Sequence, residues 1–179
     1  MFLIETVLII ILIDFVSGII HWAEDTFGNE TTPIIGNWII KPNVLHHRDA
    51  YAFVKNGWLK SSWDLLIVGI LILLVAYCLG YLTWHIWLFV MIGVNANQIH
   101  KYNHMPATKL PKLVRVLQKL FILQTSSHHA IHHCGEKNTH YCVITFIVNP
   151  FLDSIGFWRT MEYLFVPIFG KSNRLTSGI

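Results

Sequence analysis

Three long apolar stretches govern what this chain can fold into: Phe2 to Ile20, Leu65 to Leu82, and Ile86 to Val94 with a continuation through Asn95 to Ile99. A helix that crosses a bilayer needs about 20 predominantly apolar residues, and the first two runs are close to that length. The third is shorter and turns polar, so it spans only if its end is buried in protein or reaches the interface. Charged residues are 13% of the 179 residues and mean hydropathy is +0.50, against roughly 25% charge in ordinary soluble domains. No Lys or Arg precedes Lys41, so the first run lacks the basic n-region of a cleavable signal and reads as a retained span. No repeat, low-complexity tract or Pro/Gly/Ser linker divides the chain, and we expect one domain over residues 1–179.

The first run is not uniformly apolar. Asp14, Ser17, Gly18, His21 and Asp25 follow the spacing of a single helix face. An acid near mid-membrane costs roughly 2.5 to 3.5 kcal/mol on insertion scales, so this stripe should point into a bundle. Asp14 is expected to support the span by hydrogen bonding to Ser17 or to a neighbouring helix. Trp22 is expected at headgroup depth, as an aromatic anchor.

Charge is distributed to one side. All 13 basic residues lie in Lys41 to Lys60, in Lys101 to Lys137, or at Arg159, Lys171 and Arg174. The positive-inside rule then puts the N-terminus outside and both long loops in the cytoplasm, of a bacterial inner membrane or of the endoplasmic reticulum. Ten of the 11 histidines fall on that side. His85, in the opposite turn between Trp84 and Trp87, reads as an interfacial anchor. The net charge of +3 suits an anionic lipid surface, and nothing resembles a nucleic-acid module. Cys78, Cys134 and Cys142 contain no CxxC pair and imply neither a disulfide framework nor a zinc knuckle.

The histidines carry the chemistry. The stretch Ser126 to His133, SSHHAIHH, holds four in six residues. On a helix, His128 and His132 share one face, and His129 and His133 share the next. His100 and His104 form an HxxxH pair in NQIHKYNH, with Asn97 on the same face, and two histidines so spaced can grip one ion. His46 and His47 are adjacent and point apart in any regular structure, so both serve one site only if it is extended or two-centred. LPKLVRVLQKLFILQTSS reads as an interfacial amphipathic helix, with Lys112, Arg115 and Lys119 opposite Leu113, Leu117, Leu120 and Phe121. The last apolar part, from Tyr141, is broken by Asn149, Pro150, Asp153 and Gly156 and reads as a re-entrant or interfacial pair of segments. The expected fold is an all-α integral membrane protein, with about three transmembrane helices plus interfacial or re-entrant helices carrying a cytoplasmic-side histidine cluster.

Counting His21, nine histidines from four segments reach one membrane face. That is too many for one zinc and suits two metal ions with open positions. Iron is preferred, because attack on an unactivated C–H bond at a lipid interface needs a redox metal, and no HExxH motif supplies the general base of a zinc hydrolase. A metal carrier or channel would need polar stripes through the whole bilayer, and Leu65 to Leu82 has almost none. A membrane zinc hydrolase would need a carboxylate base beside the ligands.

The combination of DFVSGIIHWAEDTFG, LHH, NQIHKYNH, HHAIHH followed by YCVIT, and GFWR resembles the plasmanylethanolamine desaturase family, the Kua and CarF-type membrane lipid desaturases, which include a plant phosphatidylglycerol acyl desaturase. The resemblance covers Asp14 to Glu162. It implies a multi-pass enzyme with two iron ions that uses O2, and electrons from a donor such as cytochrome b5 or ferredoxin, to desaturate an intact phospholipid. It places metal ligands at His21, His46, His47, His100, His104, His128, His129, His132 and His133, with Asp25 as the accompanying acid. Asn97 and His140 are secondary candidates. Ala50 stands where the family often has proline, and His140 stands near an aromatic position, where it reads as a surface residue rather than a ligand. The ligand-bearing segments end at headgroup depth near Trp22, Trp38 and Trp58, which favours oxidation beside the glycerol backbone. The expected reaction is therefore conversion of a 1-O-alkyl ether to a vinyl ether, with an acyl chain as the alternative substrate.

Overall fold

The computed structural model describes residues 1–134 and 138–170, so Lys137, Lys171 and Arg174 of the charge argument lie outside the described residues. Those residues are helical, with no strand among them. Helix α1 (Phe2–Phe27) uses the whole first apolar run and stops at Gly28. A turn of π-helix (Gly36–Ile40) leads into α2 (Lys41–Arg48), with Pro42 in its first turn, where a missing N–H costs nothing. Asp49 caps α3 (Ala50–Lys55) by accepting from the amides of Tyr51 and Ala52. Helix α4 (Trp58–Cys78) turns at Gly80, whose φ of 74° suits a residue without a Cβ, into α5 (Trp84–Gly93). Then follow α6 (Ala96–Asn103), α7 (Lys112–Lys119), α8 (Ser126–His133), α9 (Val148–Ser154) and α10 (Phe157–Phe169).

α1 and α4 are long and apolar enough to cross a membrane, and only 22% of the apolar window of each is buried. A core helix of a soluble protein would be mostly covered. Here Leu3, Leu8 and Leu12 of α1 and Ile70, Leu71 and Leu74 of α4 are exposed, an apolar surface of the kind that lipid covers. α5 packs against both helices. The stripe foreseen on α1 does face inward: Asp14, Gly18, His21 and Asp25 are all buried.

Three expectations change. The third apolar run and its continuation through Asn95 to Ile99 are not one helix, because at Asn95 the chain tightens into a turn that separates α5 from α6. The Asn95 side chain donates to the Met91 carbonyl and accepts from Trp58 Nε1. Trp22 is not an interfacial anchor, because it is buried in a core with Tyr141, Cys142, Leu152 and Trp158. Finally, the amphipathic helix ends at Lys119. Phe121 takes a left-handed φ of 55°, and the following residues pair with a distant segment: Gln124 N donates to Ile144 O and Phe146 N donates to Ile122 O.

That partner segment, residues 139–145, is a non-helical strap between α1 and α6, with a left-handed φ of 58° at His140. Its residues belong to both apolar cores, Tyr141 and Cys142 to one, Val143 and Ile144 to the other. A Cβ on Gly18 would stand 2.5 Å from Cys142 Sγ and 3.1 Å from Cys142 N, so the strap can lie on α1 only because residue 18 is glycine. Gly18→Ala should therefore lower stability in detergent by about 1–3 kcal/mol, the usual cost of overpacking. Adding Cys142→Ala should restore part of the loss in a thermal melt.

Candidate metal centre

At one end of the bundle, the ends of α1 and α6 meet α2 and α8, and two groups of ligand atoms form there. His46, His100, His104, His129 and His133 make the first, and His21, Asp25, His47 and His132 make the second; within each, the ligand atoms lie within 4.8 Å of one another. The groups adjoin: the His46 and His47 rings are 4.3 Å apart, and those of His47 and His133 are 4.6 Å apart. Neighbouring residues on a helix differ by about 100° in direction, which is how each HH pair divides. His46 and His133 enter the first group, while His47 and His132 enter the second.

In the second group, the Asp25 carboxylate faces three histidines: its Oδ2 is 3.6 Å from His21 Nε2, 3.1 Å from His47 Nε2 and 3.3 Å from His132 Nε2. Asn43 Nδ2 donates to Asp25 Oδ1 at 2.6 Å, leaving Oδ2 for the cluster. His21 Nδ1 donates to the Tyr141 carbonyl at 3.0 Å and His132 Nδ1 to the Thr139 carbonyl at 2.8 Å. These bonds set the tautomer, so that both Nε2 lone pairs point at the centre. In the first group, His46 Nδ1 donates to Asn43 O, while Nε2 atoms approach in pairs: His100 and His129 at 2.8 Å, His100 and His104 at 3.2 Å, His129 and His133 at 3.1 Å.

These spacings test the fit to metal. Donors about 2.1 Å from a common ion stand roughly 3.0–3.4 Å apart in octahedral or tetrahedral coordination, and the contacts found, from 2.8 to 3.6 Å, bracket that range. The Nε2 atoms of His21, His46 and His132 are buried without a hydrogen-bond partner among the described residues, an arrangement costly for a polar atom unless a cation receives the lone pair. Burial, reinforced by neighbouring histidines, pushes His46, His129 and His133 well below the ordinary histidine range. They are neutral at physiological pH, the form in which an imidazole can accept a metal ion. The residues therefore fit two ions.

Of the ten ligands named from sequence, the structure brings nine together. His128 stands outside both groups, its ring 4.5 Å from Phe146 and 5.0 Å from His140. It lies one turn, about 6 Å, along α8 from His132 and so misses the centre that His132 reaches. Asn97 donates to the Ser61 carbonyl, and His140 pairs with Asp153 at 2.6 Å; neither joins a group. His85, at the opposite end, lies against Trp84 and 3.5 Å from Glu5. Sequence reasoning missed Asn43, although its position three residues before His46 was a usable signal. It also missed the carbonyls of Thr139 and Tyr141, which no residue type announces.

A cavity of about 170 Å³ opens beside the groups. His21 of one group and His46 and His100 of the other line it, together with Phe53, Asn97, Trp38 and Trp63. Its wall is mixed, with Trp38, Phe53 and Trp63 beside the charged Glu24, Lys60 and Asp64, and it reaches residues of both groups.

Fold and site together define a helical membrane protein with a paired, histidine-rich site suited to two metal ions. The chain belongs to the lipid desaturase family, whose lipid desaturase domain matches residues 10–176. It is 34% identical over 173 residues to plasmanylethanolamine desaturase 1 of Mus musculus, covering 90% of this chain and 64% of that protein. It is 32% identical over 158 residues to plasmanylethanolamine desaturase of Myxococcus xanthus, covering 84% and 56%. Fatty acid desaturase 4-like 2, chloroplastic, of Arabidopsis thaliana is 30% identical over 156 residues, covering 85% and 55%. The chain thus spans a little over half the length of these curated relatives. No solved structure matches it.

Replacing single donors checks the site. His104→Ala and His132→Ala should each lower metal content by about one ion per chain and activity by more than about 100-fold, because second-shell losses alone cost 10–100-fold. His128→Gln should leave the metal content unchanged. Metal analysis of the purified variants reads the difference.

Proposed function

We propose that this chain is a multi-pass, single-domain, di-iron lipid desaturase that converts the 1-O-alkyl ether of an ethanolamine phospholipid to the vinyl ether. The observation that carries this reading is the cavity that touches both ligand groups at once, so that a two-carbon unit can lie beside both centres. The relatives named plasmanylethanolamine desaturase support the ether substrate. Nine histidine and carboxylate donors in two adjoining groups favour a two-ion redox centre over the single zinc of a hydrolase. The apolar surface of α4 speaks against a metal carrier.

The overall change is removal of one hydrogen from each of two neighbouring carbons. One O2, two electrons and two protons are consumed, and two waters form. Iron would supply the O2-dependent oxidation of the C–H bonds. The protein binds and orients. Trp38 and Trp63, edge to face with ring centroids 6.1 Å apart, wall the cavity and exclude water from an apolar chain. Asn97 and Ser61 add polar groups to that wall. Asn43 and the Tyr141 and Thr139 carbonyls keep the ligands aimed while substrate enters. The electrons come from a partner such as cytochrome b5 or ferredoxin.

Depth supports the ether carbon. The ligands sit at the end of α1, and Trp38 is exposed near the cavity, so a carbon next to the sn-1 oxygen reaches the centres without a bent tunnel. Three crossings, by α1, α4 and the α5–α6 pair, with the ligand end in the cytoplasm, agree with Lys41, Arg48, Lys55, Lys60 and Lys101 at that end. Cysteines placed near the ligand end should resist an impermeant reagent in intact cells, while one in the Gly80 turn should react. Labelling of the ligand end alone would invert the topology.

Expression in a host that makes alkyl ether lipids but no plasmalogens tests the activity. Lipid mass spectrometry should show a loss of about two daltons with creation of an acid-labile vinyl ether, the loss of two hydrogens that any desaturation makes. An acid-stable double bond in an acyl chain would replace the ether reading with that of an acyl desaturase.

A further inference from the structure

The strap of residues 139–145 runs antiparallel along α1 and touches it at three levels. Asp14 holds one end: Oδ1 accepts from Ile144 N at 2.8 Å, and Oδ2 accepts from Thr145 N at 2.8 Å and Thr145 Oγ1 at 2.6 Å. Gly18 admits Cys142 in the middle. At the other end, Tyr141 O accepts from His21 Nδ1. From Asp14 to His21 the helix rises about 10 Å, and the extended chain between Tyr141 and the Ile144–Thr145 pair covers about 11 Å. The two lengths match, so the three contacts are made together without slack.

The strap's carbonyls serve one group only. Tyr141 O and Thr139 O orient His21 and His132, two of the three histidines of the second group. In the first group, His46 is oriented by Asn43, within its own helix. Asp14 and His21 are on one rigid helix, so Asp14 fixes the register of the strap relative to the ligand it orients. The other anchors hold the strap's middle: Asn149 bonds both the N and O of Cys142, Gln124 bonds Cys142 O, and Asn103 bonds Val143 O. They, with Gln124 N on Ile144 O, tether the strap to other elements, while Asp14 anchors it to α1, the helix that carries His21.

We propose that Asp14 is a positioning residue for the second ligand group, setting through the strap how tightly His21, Asp25, His47 and His132 hold their ion. The inference rests on the two-centre reading. Its measure is iron bound per chain in purified protein reconstituted with ferrous iron, independent of turnover. Asp14→Asn keeps one acceptor and turns an NH2 group toward the strap's donors. It should lower iron from about two ions per chain to about one, while the protein stays monodisperse, because loss of an orienting partner typically costs 10–100-fold in metal affinity. Adding His132→Ala to Asp14→Asn should then remove no further iron, whereas adding His104→Ala should remove the rest. Two ions retained by Asp14→Asn, or a further loss on adding His132→Ala, would overturn the assignment. Thr145→Val removes only the hydroxyl donor and serves where Asp14→Asn fails to reach the membrane: it should weaken the second ion about tenfold, and unchanged iron affinity would overturn the assignment equally. A wild-type chain holding one ion would instead sink the two-centre reading, whatever Asp14 does.

Discussion

The Asp14 carboxylate, fully buried within a membrane-spanning helix, is the interaction that the rest of the architecture depends on. A polar group at that depth needs donors, and helix amides cannot supply them, being already bonded along the axis, although within α1 the Ser17 hydroxyl reaches Asp14 Oδ1 at 3.4 Å. The donors come from the one kind of backbone that has amides to spare, an extended segment. The dependence is mutual. Extended chain inside a bilayer is tolerated only when its polar groups are satisfied by protein. Here Asp14 takes the amides of Ile144 and Thr145, Asn149 and Gln124 take the groups of Cys142, Asn103 takes Val143 O, and Gln124 N takes Ile144 O. Once placed, the strap's carbonyls do for two histidines what a carboxylate partner does in many metal sites: they fix the tautomer and hold the ring.

The two ligand groups are unlike in charge. Five neutral imidazoles compose one, and three imidazoles with a carboxylate compose the other. A carboxylate offsets part of an ion's charge and is a harder ligand than imidazole, so the two positions present different fields to chemically identical ions. Both border the same cavity, which therefore meets two unlike groups rather than two copies of one.

His128 and Trp22 show where pattern reading stops. His128 shares a helix face with His132, and face-sharing is all that spacing expresses. Whether a side chain one turn away reaches the same point depends on how the helix axis tilts across the site, and α8 carries His128 to Phe146. Trp22 sits at the right depth for an interfacial anchor, but α10 covers it, with Phe165 6.1 Å away and Trp158 in the same core. Depth along a helix follows from sequence; what packs on that level does not.

By itself the sequence determined the long apolar helices, the inward stripe on α1, the helical HxxxH spacing and, His128 apart, which residues gather into the two histidine-rich groups. Each of these is local: apolar length, helical period and residue chemistry act within one element and need no partner to be expressed. Only the tertiary structure decided that the pairs His46–His47 and His132–His133 each divide between the two groups, that the run after Lys119 leaves the helix to pair with the strap, and that a cavity reaches both groups. These outcomes depend on the relative placement of elements far apart in the chain. Asp14 and Thr145 are 131 residues apart, and only packing brings the donors of one to the acceptor of the other.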